Sequence, residues 1–269
     1  MQRGFRLLAW LSLAVLLAGC GATKKQEATA KPAAPPKHVA TPSPPIKRPP
    51  APAARRCSWT SRPVGSAHIA VAAVVRRHAR AFRLPGRRLL ASFERLNQNG
   101  FPTVFRVLAS VRARNCRSAW YRVQLPIRPN GVTGYVRAQA LELGKVQTKI
   151  EVDLSARRLT FLRNGRRVLR TPVAVGTSAT PTPTGVYYVN QKLIPSDPGG
   201  PYGPGAIGIS AFSPVLTGWA QGGPVAIHGT NEPWAIGHAV SNGCIRVPNP
   251  ALRRLFAATP AGTPVLIRG

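Results

Sequence analysis

Acidic side chains are scarce in this sequence: seven Asp and Glu stand against 38 Lys and Arg over 269 residues, for a formal net charge of +31. That balance favours contact with polyanions, whether nucleic acid, an anionic membrane or an anionic wall polymer, and an arginine-rich composition colouring the whole surface explains it equally well. Cysteine is also sparse, at four residues. A chain of this length buries one or two ordinary cores and needs no dense disulfide scaffold. No zinc-finger spacing, basic zipper or RNP-like aromatic run accompanies the charge, so nucleic acid is not expected as a partner. Long apolar runs are missing too. The longest near the start, Leu7 to Ala18, is too short for a comfortable membrane span.

What is present begins with Arg3 and Arg6 ahead of that apolar run, the arrangement of an export signal. The run closes on Leu17, Ala18, Gly19 and Cys20, which resembles the lipobox of bacterial lipoproteins. The resemblance implies a lipoprotein signal peptide over 1–20, lipidation of Cys20 and residence outside the cytoplasmic membrane or in the cell envelope; the alternative is an ordinary signal peptide with an incidental cysteine. Residues 21–56 hold nine prolines and almost nothing large and apolar. Such a segment cannot bury a core and is expected to be a disordered, semi-rigid spacer reaching roughly 100 Å at about 3 Å per residue.

Two folded regions are expected beyond it, both mainly β. In 57–144, short apolar and aromatic stretches alternate with turns, the pattern of a small all-β barrel. Its last pieces, with Gly134, Tyr135 and Val136, resemble a bacterial SH3-like domain. The stretch 69–82 fits helix or strand by periodicity, and strand is preferred. Cys57 and Cys116 fall here and, in an oxidising compartment, are candidates for a disulfide, the alternative being two free buried thiols.

The region 147–269 should be β-rich with one clear helix. Asn164 and Gly165 occupy the place of a two-residue hairpin turn. The stretch from Pro195 to Gly205 is too rich in Pro and Gly for a regular element, and is either a substrate-covering lid or an irregular connection. Asn249 is the expected N-cap of the helix, with Pro250 at its first position and Leu252, Leu255 and Phe256 on one face.

Candidate chemistry gathers between Ile227 and Val247. With Cys20 assigned to lipid and Cys57 and Cys116 to a bridge, Cys244 is left as the free thiol, and an unpaired extracellular cysteine invites a functional explanation. Gly243 lets backbone approach a ligand, so amides around Asn242, Gly243 and Cys244 are candidates for holding a developing oxyanion. A thiol with an ordinary pKa needs a base. His228 follows an apolar stretch that reads as a strand and precedes the permissive Gly229, whereas His238 sits in a Gly/Ala loop and reads as a residue facing water or capping a turn. A zinc site from His228, His238 and Cys244 matches no common ligand spacing, so neither metal nor cofactor is expected.

His228 followed sixteen residues later by Cys244, within Ser241-Asn242-Gly243-Cys244-Ile245-Arg246, resembles the catalytic motif of the L,D-transpeptidases, cysteine enzymes that cross-link bacterial peptidoglycan. The resemblance implies that Cys244 attacks a tetrapeptide stem, that His228 handles the protons, and that the Gly229 carbonyl orients the histidine. A 3-3 cross-link would follow from transfer to an amine, and carboxypeptidase products from transfer to water. Ser241 is expected to order the loop, and Arg246 either to pair with a substrate carboxylate or to brace the structure. Asn242 departs from the histidine many members carry there. The implied partners are peptidoglycan stem peptides, together with anionic wall polymers or the membrane surface, for a monomer without nucleic acid. A wall-binding lipoprotein with a vestigial motif, or a cysteine peptidase of wall peptides, is the competing reading.

Overall fold

The computed structural model describes residues 59–113 and 119–269. Cys20, Cys57 and Cys116, the export signal, the spacer and the expected disulfide lie outside the described residues. Among the described residues no helix is long and apolar enough to cross a membrane.

The described residues are mainly β with one α-helix, as the patterning indicates. The first eight strands are β1 Trp59–Pro63, β2 Ala70–Val75, β3 His78–Leu84, β4 Arg87–Glu94, β5 Val104–Ala113, β6 Ala119–Gln124, β7 Thr133–Arg137 and β8 Leu141–Val146. They form one antiparallel sheet in the order β4-β3-β7-β6-β5-β2-β8, with β1 on β5. The ambiguous stretch 69–82 is strand, divided into β2 and β3 at Arg76 and Arg77. In β3 burial alternates, with Ala79 and Ala81 inward, while β2 buries Ala73 and Val75 in one cluster and Ala72 in another.

Ten further strands follow: β9 Thr148–Asp153, β10 Arg158–Arg163, β11 Arg166–Pro172, β12 Val175–Gly176, β13 Gly185–Leu193, β14 Ala206–Phe212, β15 Pro224–His228, β16 Ala239–Ser241, β17 Ile245–Arg246 and, after helix α1 Asn249–Ala258, β18 Pro264–Arg268. Eight of these make a second sheet, β11-β10-β9-β18-β13-β14-β15-β17, while β12 and β16 pair separately. In β9 burial alternates strictly, with Thr148, Ile150 and Val152 inward. The β10–β11 turn is the expected one: Asn164 and Gly165 both take positive φ, 50° and 76°, the requirement of a twist-matched two-residue hairpin. Strand β14 is buried over nearly its whole length, so it reads as continuous apolar sequence rather than alternation.

Helix α1 lays Leu252 and Leu255, both fully buried, on the core formed by Ile150, Phe161, Ile207 and Ile227. Each such side chain contributes about 2–3 kcal/mol by burial. The helix start differs from expectation. Pro248 takes the N-cap place and no side chain caps the helix, because the Asn249 amide is engaged elsewhere: its Oδ1 accepts from the Thr230 N–H at 2.8 Å and its Nδ2 donates to the Thr230 carbonyl at 3.0 Å.

The two sheets share contacts within one compact unit. The buried Tyr188 hydroxyl donates to the Val104 carbonyl at 3.1 Å, and Gln124 donates to the Val186 carbonyl at 2.6 Å. Asn130 both accepts from the Phe212 N–H at 2.9 Å and donates to its carbonyl at 2.8 Å. Buried groups that are satisfied only across the junction make separation of the sheets costly.

Candidate active site

The site is built on the end of the second sheet, where β15 and β17 run parallel with Ile227 opposite Ile245 and His228 opposite Arg246. A further bond, Val247 N–H to the His228 carbonyl at 2.9 Å, continues the ladder. Side chains alternate across a strand, so Ile227, Ile245 and Val247 enter the core while His228, Arg246 and Cys244 share the opposite face. The ladder thus places a thiol and an imidazole, sixteen residues apart in sequence, on one face of neighbouring strands. Reciprocal bonds between Ala174 and Arg246, at 2.9 and 3.0 Å, hold the outer side of β17.

His228 is only 4% exposed. Its Nδ1 lies 2.6 Å from the Gly229 carbonyl oxygen. A carbonyl can only accept, so Nδ1 carries the proton and Nε2 of the neutral ring is left as the acceptor. Burial lowers the His228 pKa to about 4; the Gly229 bond opposes that shift and the charge of Arg246 adds to it. Burial likewise pushes the Cys244 thiol up, against a hydrogen bond from the Ala226 backbone and the attraction of Arg246. At neutral pH the resting pair is therefore thiol and neutral imidazole, rather than a preformed thiolate. Cys244 is partly exposed and, among the described residues, is the free cysteine.

The loop carrying Cys244 is ordered by Ser241. Its hydroxyl donates to the Cys244 carbonyl at 2.6 Å and accepts from the Gly243 N–H at 3.1 Å, while Thr180 donates to the Ser241 carbonyl at 3.0 Å. The Gly243 amide, one of the expected oxyanion donors, is thus engaged by the Ser241 hydroxyl. The N–H groups of Asn242 and Cys244 have no hydrogen-bond partner among the described residues and remain available. Gly243 is needed for its backbone, with φ of 104°. Asn242 is exposed at the loop surface.

Gly229 is needed for space. A Cβ there would lie 2.3 Å from Asn249 Oδ1 and 2.8 Å from Pro204. The latter belongs to the Pro/Gly-rich stretch 195–205, which packs over the site: Gly229 donates to the Gly205 carbonyl at 3.3 Å, and the Tyr202 ring meets the His228 ring edge-on at 5.0 Å. Tyr202 is half exposed, so it walls one side of the imidazole without sealing it. His238 is exposed and contributes its backbone carbonyl to Val175.

Arg246 is ion-paired with Glu232, and its Nε–H is buried without a partner among the described residues. Sequence reasoning missed both Glu232 and Tyr202. For Glu232 a signal existed, since it is one of only seven acids and stands four residues after His228.

A fixed thiol, an imidazole of defined tautomer and two free amides can perform acyl transfer through a thioester. Residues 147–267 match the YkuD family of L,D-transpeptidase catalytic domains. Beyond that match, the region is similar to the Bacillus subtilis protein named "Putative L,D-transpeptidase YkuD", with 38% identity over 118 residues, 44% of this chain and 64% of the relative. Its Bacillus licheniformis counterpart is 36% identical over 119 residues, with the same coverage. The chain thus spans about two-thirds or less of these curated relatives. Among solved structures, the catalytic domain of the Enterococcus faecium L,D-transpeptidase aligns at 28% identity over 45% of this chain and 96% of that one, with a TM-score of 0.34. The YkuD match covers every residue of the site described above.

Proposed function

We propose that the protein is an exported, membrane-anchored cysteine L,D-transpeptidase that forms 3-3 cross-links between peptidoglycan stem peptides. The observation that carries the reading is the His228 Nδ1 bond to the Gly229 carbonyl; side-chain alternation from the His228–Arg246 pair puts Cys244 on the same face. The Nδ1 bond leaves Nε2 as a base for the thiol. In the first half-reaction the Cys244 proton passes to Nε2 as Sγ attacks the carbonyl of the third, L-configured centre of a tetrapeptide stem. The N–H groups of Cys244 and Asn242 receive the oxyanion. The C–N bond then breaks, the imidazolium returns its proton to the departing D-alanine amine, and a thioester remains. In the second half-reaction an amine of a neighbouring stem gives its proton to Nε2, attacks the thioester and releases the thiol.

Because proton transfer starts from a neutral pair, the base is competent at any pH well above the His228 pKa of about 4. The N-terminal apolar run, Cys20 and the proline-rich spacer support delivery to the wall, and the strong positive charge supports retention near anionic polymers. The region 57–144, read as SH3-like, would serve as a wall-binding or spacing module.

Incubation of the full chain with two tetrapeptide stems tests the reading. The expected products are a 3-3 linked dimer and free D-alanine, both absent with Cys244→Ala. D-alanine release without a dimer would indicate a carboxypeptidase, and no release would remove the enzyme reading.

A further inference from the structure

The two sheets flank a partly open cavity of about 420 Å³ that includes neither His228 nor Cys244. One wall comes from β5 and the segment before β2, the other from β9, β18 and the Asn164–Gly165 turn. Arg106 enters it. On β5 the neighbours Phe105 and Val107 point into the first core, so alternation sends Arg106 to the opposite face, toward the second sheet. Val104, two residues earlier on that face, is where Tyr188 reaches across.

The Arg106 guanidinium makes no hydrogen bond and no ion pair among the described residues, although it is only partly exposed. Partial burial lowers its pKa from the ordinary arginine value. An uncompensated, partly buried cation is costly. The carboxylate on the cavity wall, Glu151, does not offset it, being held by Lys149 at 2.7 Å. The exposed His68 stands at the rim against Gly165. The cavity therefore has room and a forked donor whose charge is left over once Lys149 and Glu151 are paired.

We propose that this inter-sheet cavity is a binding site for an oxyanion, a phosphate or carboxylate group seated bidentately on Arg106 with His68 at the rim. Arginine matches such groups with two parallel N–H···O bonds. The occupant is either a free anion or an anionic group on a wall polymer or peptide. Because the cavity walls belong to both sheets, occupancy fixes them relative to one another and fastens the chain at a point separate from the thiol.

The test is a thermal-unfolding titration of the full chain with inorganic phosphate, at constant ionic strength made up with chloride, on wild type, Arg106→Met and the surface control Arg166→Met. Phosphate is expected to raise the wild-type and control Tm saturably, with a midpoint at least tenfold weaker in Arg106→Met. Without phosphate, Arg106→Met is expected to melt no lower than wild type, since it removes an unpaired charge; a merely structural arginine would lower it. Equal phosphate response in all three proteins, or no saturable response in wild type, overturns the proposal. Displacement by a poly(glycerol phosphate) assigns the source as polymer phosphate, displacement by a stem tetrapeptide as carboxylate, and displacement by neither as the free anion.

Discussion

Arg246, the ladder partner of His228, is ion-paired with Glu232. Its charge pulls the pKa values of both His228 and Cys244 down, and Glu232 sets how much of that charge the site feels. Glu232→Gln should therefore make the thiol more acidic, and Arg246→Gln less so. Iodoacetamide alkylation of Cys244 at fixed pH is expected to speed up several-fold in the first variant and slow down in the second. Unchanged rates in both would show that the pair is electrostatically silent.

Ser241 satisfies two backbone groups of the nucleophile loop at once. Ser241→Ala leaves the Gly243 N–H and the Cys244 carbonyl without that partner, at a cost of about 1–3 kcal/mol. Urea unfolding should show the loss, together with slower acylation of Cys244, because the loop carrying the sulfur is no longer held.

Gly229→Ala places a methyl group against Asn249 Oδ1 and Pro204. Overpacking of this kind costs about 1–3 kcal/mol. It also displaces the carbonyl that orients His228, so activity should fall more steeply than stability. Gly144→Ala is the control: nothing lies within 4 Å of its added Cβ, and stability should stay within about 0.5 kcal/mol.

The buried imidazole makes stability depend on pH. His228 has a folded pKa of about 4, against an ordinary 6.5, so between those values the unfolded chain binds the proton and the folded chain does not. Stability therefore rises with pH through that window and levels off above 6.5, a contribution of about 3 kcal/mol. Chemical unfolding at pH 4.5 and pH 7 should show the difference in wild type, and His228→Gln should abolish most of it.

Sequence reading reached the parts of this molecule that local rules govern. The Asn164–Gly165 turn follows from the positive φ a hairpin demands, and α1 from the spacing of Leu252 and Leu255. Cys244 and His228 stand out in the sequence because so few residues of either type are present. The elements that escaped are those created by contact between distant segments. Asn249 has the composition of an N-cap, yet its amide is taken up by Thr230, nineteen residues away. Tyr202 is an unremarked aromatic in a Pro/Gly loop until the loop folds over His228. The occupation of the Gly243 amide by Ser241 is a matter of rotamer, which no spacing encodes. The sign of the thiol shift was also out of reach, since it follows from burial of the pair and not from the identity of the two residues.

The central claim is that Cys244 is a nucleophile activated by His228 within a preformed acyl-accepting site. Intact-protein mass spectrometry after exposure to a carbapenem tests it most directly. One covalent adduct per chain is predicted in wild type, mapped to Cys244 by peptide analysis, strongly slowed in His228→Gln and absent in Cys244→Ala. An unmodified wild-type protein after prolonged exposure, or an adduct that persists in Cys244→Ala, would contradict the account.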